Sequence, residues 1–389
     1  MIRLIAVDGY RSLRSVRLPL GQLTVVTGAN GTGKSGVYRV LALLASAARG
    51  DVVAALAAQG GLASTLWAGP EQLSGAMRRG EAPVQGTVRT GPVALKIGFA
   101  ADGLSYAADL GIPIASRSVF DRDPQLKVEA VWAGPTLRPA TLLSERRGPL
   151  VRVRLDSGWE IVTKDLPGFD SMLDQVGDPR SAPDVIAVRE AMRSWRFYDQ
   201  IRTDPGSPAR TGSVGTRTFA LAPDGHDLAA ALATIEEQAA DDRLAATIEA
   251  AFPGTELELV MLAGVFDVAL RQPGMLRPLR AAELSDGTLR FLAWTAALLS
   301  PRPPQLLVLN EPENSLHPQL LPALAELVVS AARRTQVVLI THSERFLAAL
   351  RGAAEGIELS ELELVKELGE TLVAGRDELF VSGWAWPRR

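Results

Sequence analysis

The residues best suited to chemistry form one eight-residue run, GANGTGKS, at positions 28–35. The run fits the spacing G-x-x-x-x-G-K-S, with Gly28 and Gly33 at the glycine positions and Gly31 between them. A strand is expected just before it, at 23–27 (LTVVT), and helical spacing follows over 34–48. Strand, loop and helix in that order are the setting this spacing needs. Glycines let the backbone N–H groups of Gly28, Ala29, Asn30, Gly31, Thr32 and Gly33 turn inward around a phosphate. The helix N-terminus adds partial positive charge. Lys34 can reach the β- and γ-phosphates of a nucleotide, and the Ser35 hydroxyl can bind Mg²⁺.

Three further groups could serve the same chemistry. The apolar run at 306–309 ends in Asn310-Glu311, within LLVLNEPENSLHP. A continuous apolar run of this length reads as a buried parallel strand, and ligands gather at the carboxyl ends of such strands. Glu311 could there polarise an attacking water; the plainer reading is a surface glutamate after a core strand. The next apolar strand, QVVLI, runs into Thr341-His342-Ser343. An imidazole at that place can contact a γ-phosphate or orient water, although a lone histidine is more often structural. Finally, ELSDGTLRFLAW at 283–294 puts Ser285 and Gly287 at the start of a helix. Ser285 suffices as a helix N-cap; the alternative is a helix N-terminus presented to a second anion.

Composition narrows the classes. The chain has 389 residues, 47% hydrophobic and 22% charged, which suits one large mixed domain or two lobes. Net charge is −3, so nucleic-acid binding would need a local patch or a partner. The absence of cysteine excludes disulfides and thiolate metal sites, and three histidines argue against a multi-histidine zinc centre. MIRLIAVDGY reads as a strand and not a signal peptide. The most apolar early run, VYRVLALLASAA, is too short to span a bilayer. A cytoplasmic protein without a membrane partner is expected.

The elements that must position these groups follow from patterning. Strands are expected at 2–7 and 23–27, and one helix with a loop over 50–85. Short alternating runs separated by glycine turns from 87 to 163 predict an antiparallel sheet. Residues 170–200 read as helical, ending in MRSWRFYDQI, and RTDPGSPARTGSVGT at 202–216 as a loop. Asp227 could cap a long helix over 228–251 that stops at Pro253-Gly254. Strands are expected at 256–262 and 265–270, a helix at 286–299, a strand at 305–310, a helix at 318–333, a strand at 336–341 and a helix at 344–351. Edge strands are expected within 357–381. A basic run (Arg146, Arg147, Arg152, Arg154) reads as a solvated face, with a phosphate-tracking stripe as the sharper option. Trp195, Phe197 and Tyr198 read as core aromatics before base-stacking ones.

In this order the motifs resemble the ABC-type ATPases of the SMC, RecF and OLD kind. LSDGT is similar to the family's signature loop, NEPENSLHP to its Walker B segment and D-loop, and THS to its switch histidine. The opening, IRLIAVDGYRSLRSVRLPLGQLTVVTGANGTGKS, and the middle stretch around WRFYDQIRTD are similar to stand-alone bacterial AAA-type ATPases related to the OLD nucleases. The resemblance implies an α/β P-loop fold with a mixed central sheet, an antiparallel β subdomain and a helical lobe. It suggests an N-terminal half at 1–163, a helical lobe and linker at 164–255 and a C-terminal half at 256–389. It makes Lys34 the phosphate lysine, Ser35 a magnesium ligand, Glu311 the general base and His342 the γ-phosphate sensor. Ser285 and Gly287 would contact ATP on the opposite protomer, and 315–318 would form the D-loop. The implied output is a homodimer that closes on two ATP·Mg²⁺ and acts on DNA or on an effector such as a nuclease, in repair or phage defence. A non-catalytic ATP-gated switch and a transporter ATPase subunit are the other readings. The Q-loop glutamine is not assigned; Gln125 and Gln175 qualify by residue type alone. Two features depart from the pattern. Asn310 stands where an aspartate is usual, so its carbonyl can meet a magnesium-bound water without adding negative charge, and slow hydrolysis is expected. Neither a Toprim nuclease block nor a coiled-coil arm is expected within these residues.

Overall fold

The computed structural model describes residues 1–71, 74–79, 81–82, 86, 93–113, 119–238, 242–375 and 383–389. The chain forms two compact units that interleave along the sequence. One comprises 1–21, 26–195 and 361–389, the other 22–25 and 196–360.

The first unit carries an eight-stranded antiparallel sheet. Its strands are β1 (Ile2–Tyr10), β2 (Leu13–Pro19), β4 (Leu95–Ala101), β5 (Leu104–Gly111), β6 (Gln125–Ala133), β7 (Leu142–Arg147), β8 (Leu150–Leu155) and β9 (Gly158–Thr163), in the order β2-β1-β4-β5-β6-β7-β8-β9. The antiparallel expectation holds for the described part of 87–163; residues 87–92 and 114–118 lie outside it. Nearly every residue of β5 is buried, so both faces of this part of the sheet are covered. On one face the C-terminal segment returns: the Trp384 ring lies 5.5 Å from that of Trp132. Gly98 leaves room for it, because a Cβ there would sit 2.8 Å from the Trp384 ring. Helices α1 (Lys34–Ala47), α2 (Val52–Ala57), α3 (Gly61–Thr65), α4 (Gly75–Arg78), α5 (Met172–Gln175) and α6 (Pro183–Ser194) complete the unit. In α1 the buried Val37, Val40, Leu41 and Leu44 follow the i, i+3, i+4, i+7 spacing of a core-facing helix. The single helix expected over 50–85 is three short ones, broken at Gly60-Gly61, where both glycines have positive φ. Residues 72–73, 80 and 83–85 of that stretch lie outside the described residues.

The second unit holds parallel strands β10 (Arg196–Tyr198), β15 (Leu306–Asn310) and β16 (Gln336–Ile340), with Leu307 opposite Arg196 and Val337. Strand β3 (Leu23–Gly28) begins in this unit, where Gln22 accepts from Val337 N at 2.9 Å, and ends in the other. A small antiparallel group, β11 (Ser213–Val214), β12 (Glu256–Leu262), β13 (Val265–Arg271) and β14 (Leu279–Arg280), lies apart from it. Helices α7 (Leu228–Gln238), α8 (Arg243–Ala251), α9 (Asp286–Leu298), α10 (Leu321–Ala332) and α11 (Glu344–Ala353) supply the core with β15 and β16. Leu306, Val308 and Leu309 are fully buried, each worth about 1.5–3 kcal/mol of burial. Strands β17 (Leu359–Glu367) and β18 (Glu370–Val373), most of which belong to the first unit, fall in the stretch where edge strands are expected. Strand β18 is an edge strand, whereas β17 lies between β3 and β18, and 376–381 of that stretch lie outside the described residues.

Two helical expectations are corrected. Residues 196–198 pair alongside β15 as a parallel edge strand, where Tyr198 packs edge-on against Trp294 at 6.2 Å and donates to the Leu221 carbonyl. The long helix over 228–251 is represented by α7 and α8, with 239–241 between them outside the described residues. Asp227 precedes α7, but its carboxylate accepts from Ala222 N and not from the helix. The basic run is also corrected. Arg146 is completely buried and pairs with Glu129, which also accepts from Tyr106 Oη, Ser171 Oγ and Met172 N. Arg147 and Arg152 pair with Glu145. A buried guanidinium satisfied in this way cannot track a phosphate backbone.

Candidate nucleotide-phosphate site

In the first unit, β3 ends at Gly28 and α1 starts at Lys34, so residues 29–33 form a tight loop between them. Gly28, Gly31 and Gly33 all have positive φ, at 144°, 82° and 107°. The glycine at 28 is required sterically: a Cβ would collide with the Leu364 carbonyl of β17. At Gly33 a Cβ would collide with Thr371 Oγ1 of β18. Thr371 donates to the Thr32 carbonyl at 2.7 Å, and Thr32 Oγ1 donates to the Ala29 carbonyl at 2.8 Å. The β17–β18 hairpin thus braces the loop, a role the sequence did not reveal. Lys34 is buried, and its Nζ lies over the loop on the carbonyls of Gly28 and Ala29, at 2.5 and 3.0 Å. Ala29, Asn30, Gly31 and Ser35 are exposed. No side chain caps α1, so its N-terminus keeps the partial charge that suits an anion. A glycine cradle with an exposed hydroxyl, a hard oxygen donor, fits a nucleotide phosphate with Mg²⁺.

In the second unit, the parallel pairing of β15 with β16 brings their carboxyl ends side by side. The pairing reaches Asn310 opposite Ile340, and Glu311 N donates to the Ile340 carbonyl at 2.8 Å. Glu311 then turns with φ of 48°, a left-handed conformation uncommon for a side-chain-bearing residue. Its Oε1 lies 3.0 Å from His342 Nδ1, and its Oε2 accepts from Asn314 Nδ2 at 2.6 Å. Glu311 is half-buried and His342 exposed. Behind them Glu313 is buried, accepts from Thr341 Oγ1, and has its second oxygen buried without a partner. Burial pushes the Glu313 carboxyl above the ordinary carboxylate range. Asn310 Nδ2 donates to Asp199 Oδ1 at 2.9 Å, at the end of β10.

The signature-like segment belongs to the same unit. Ser285 Oγ accepts from Thr288 N at 3.1 Å and caps α9. Gly287 faces the carbonyl of Ser315, 3.6 Å from where its Cβ would be. Arg290 donates to the Asn314 carbonyl at 2.8 Å and to Thr203 Oγ1 at 3.1 Å. Arg210 donates to the Leu284 carbonyl at 2.7 Å and bonds Asp286. Two arginines therefore tie the start of α9 to the turn after β15 and to the 199–215 loop. Gln125 accepts from Lys127 and Gln175 donates to Asp174, so neither shows a distinguishing contact.

Asn310, Glu311 and His342 are thus gathered at one edge, and residues 28–35 form a cradle. Sequence reasoning missed Asp199, Asn314, Thr371 and the two arginines. Asn314 lay inside the quoted motif. Asp199 would have been found by reading WRFYD as a strand whose carboxyl end it occupies.

Residues 174–348 match the family model described as "AAA domain, putative AbiEii toxin, Type IV TA system". Among solved structures, an SMC head bound to the C-winged helix domain of ScpA aligns at 12% identity over 96% of each chain, with a TM-score of 0.50. In fold, the chain is similar to SMC head domains. SMC head structures from Thermotoga maritima (13% identity, 97% of this chain and 99% of that one, TM-score 0.41) and Pyrococcus furiosus (12%, 96% and 95%, 0.47) also align. No curated protein matches the chain. Among the described residues of this SMC-type fold, no helix is long and apolar enough to cross a membrane.

Proposed function

We propose that the chain binds ATP with Mg²⁺ and hydrolyses it slowly, and that ATP-dependent pairing of two copies is its output. The observation that carries the reading is the Glu311–His342 contact, with Glu311 held in a left-handed turn at the end of a buried parallel strand. A carboxylate so fixed can accept a proton from water, and an imidazole beside it can sense or donate to a γ-phosphate. Residues 28–35 would hold the triphosphate, with Lys34 on the β- and γ-phosphates and Ser35 on the metal. Bound magnesium supplies charge neutralisation of the phosphates. Ser285 and Gly287 would meet the nucleotide of a second copy; Ser285 would then share its hydroxyl between α9 and the phosphate. ATP contacting both copies binds the closed pair better than the open form and so shifts the population. The closed pair would act on DNA or a partner effector, and Arg146 is excluded from any DNA-facing surface by its burial.

A second reading, an ATP-gated switch without useful hydrolysis, is favoured by the neutral Asn310, whose amide is already engaged by Asp199. Equilibrium binding of a fluorescent ATP analogue and sedimentation test the main reading. Lys34→Ala is expected to lose nucleotide binding, and Glu311→Gln to bind ATP and accumulate as a dimer. Unchanged binding by Lys34→Ala overturns the reading.

A further inference from the structure

Strand alternation sorts the arginines of the eight-stranded sheet. Successive side chains of a strand point to opposite faces, and residues directly opposite on neighbouring strands share one. Arg146 goes to the covered face, where it meets Glu129. Arg147, the next residue, goes to the other. The registers of Glu145 with Arg152, Arg152 with Ile161 and Arg154 with Trp159 bring all of these residues onto that second face beside Arg147. Toward β6 the face is covered, because Trp384 packs on Trp132 there. From β7 to β9 it is exposed: the Arg147 side chain keeps 50% of its surface, Trp159 39% and Ile161 49%.

The exposed part is one-sided in charge. Glu145 is buried, and its one carboxylate is shared by Arg147 and Arg152. Arg154 donates to the carbonyls of Pro139 and Ala140, at 3.0 and 3.2 Å, so its charge has no counter-ion in those bonds. Glu160 lies opposite Val153 and belongs to the other face. An exposed ring accompanies these cations: the Arg152 guanidinium lies 4.6 Å from the centroid of the Trp159 ring and holds it at the sheet edge. Guanidiniums beside an exposed indole suit a ligand with a repeating negative backbone and flat, unpaired rings. We propose that this face of β7–β9 binds single-stranded nucleic acid, with Arg147, Arg152 and Arg154 on phosphates and Trp159 stacked on a base. A duplex keeps its base faces stacked on one another and cannot use the indole. With a net charge of −3, the chain needs a local patch of this kind to hold a nucleic acid. Every residue of the face belongs to the first unit, and the inference goes beyond the nucleotide reading without depending on it.

The test is fluorescence anisotropy of a labelled oligothymidylate, titrated with the full chain at several salt concentrations and without ATP. Three neutralised phosphates give a slope of log affinity against log salt of about −2. Arg154→Gln is expected to make that slope shallower by about 0.7. Trp159→Ala is expected to weaken binding by about tenfold and to erase the preference for a single strand over a duplex. Both side chains are exposed, so unfolding temperatures should match wild type and the losses report lost contacts. Failure of wild type to bind the oligonucleotide at low salt overturns the proposal. So does binding that neither substitution alters, or equal affinity of wild type for the duplex. Lys34→Ala, expected to lose ATP, should bind the oligonucleotide as wild type does. A failed nucleotide reading and a failed nucleic-acid face therefore give different results.

Discussion

Glu311 is held by three constraints at once: a left-handed backbone, the His342 imidazole and the Asn314 amide. Removing Asn314 frees one carboxylate oxygen without touching the metal side. Asn314→Ala is therefore expected to slow hydrolysis by about tenfold, a fraction of what a general base contributes, with ATP affinity unchanged in the same binding assay. Glu313 offers a pH test. Its folded pKa is raised by burial, so its contribution to stability is full below the ordinary carboxylate pKa and is lost as pH rises through the folded value. Glu313→Gln removes that titration while keeping an acceptor for Thr341. Relative to wild type, the variant should gain thermal stability as pH climbs from the ordinary carboxylate range upward; a parallel pair of pH–stability curves would refute the assignment. The strand–loop–helix arrangement around residues 28–35 was legible in the sequence because the glycine spacing is itself the geometry. The Asn310–Asp199 contact was not, because it joins positions far apart in the chain through a strand of three residues.

Elements place these groups through their registers. A buried apolar strand such as 306–309 announces itself by composition, and the structure sets its end beside that of β16. Strand β10 did not announce itself: its aromatic run continues the helical spacing of α6, and its state is set by pairing with β15 and by the contacts of Tyr198 with Trp294 and Leu221. Similarly, charge patterning alone could not separate a solvated arginine from one in the core. Glu129 is what makes Arg146 structural, and it lies on a different strand. Arg146→Met leaves the Glu129 carboxylate buried without its counter-charge. Chemical denaturation should show a loss of about 3–5 kcal/mol, the usual cost of breaking a buried pair. A loss under 1 kcal/mol would mean that the three neutral donors to Glu129 suffice.

At the scale of the molecule, one unit carries the glycine-rich loop at 28–35 and the other the Glu311–His342 pair. Ligand linkage gives the simplest whole-chain prediction. ATP with Mg²⁺ at about one hundred times its dissociation constant should add about 2.7 kcal/mol to folding stability, seen as a higher unfolding temperature that Lys34→Ala abolishes. Whether the chain is an enzyme or a gated switch is decided by Glu311. Single-turnover ATP hydrolysis, with enzyme in excess and saturating Mg²⁺, should be compared in wild type and Glu311→Gln. The account predicts that Glu311→Gln binds ATP but cleaves it slower by at least about 100-fold, the scale of a lost general base. Identical decay of ATP in the two proteins would contradict it.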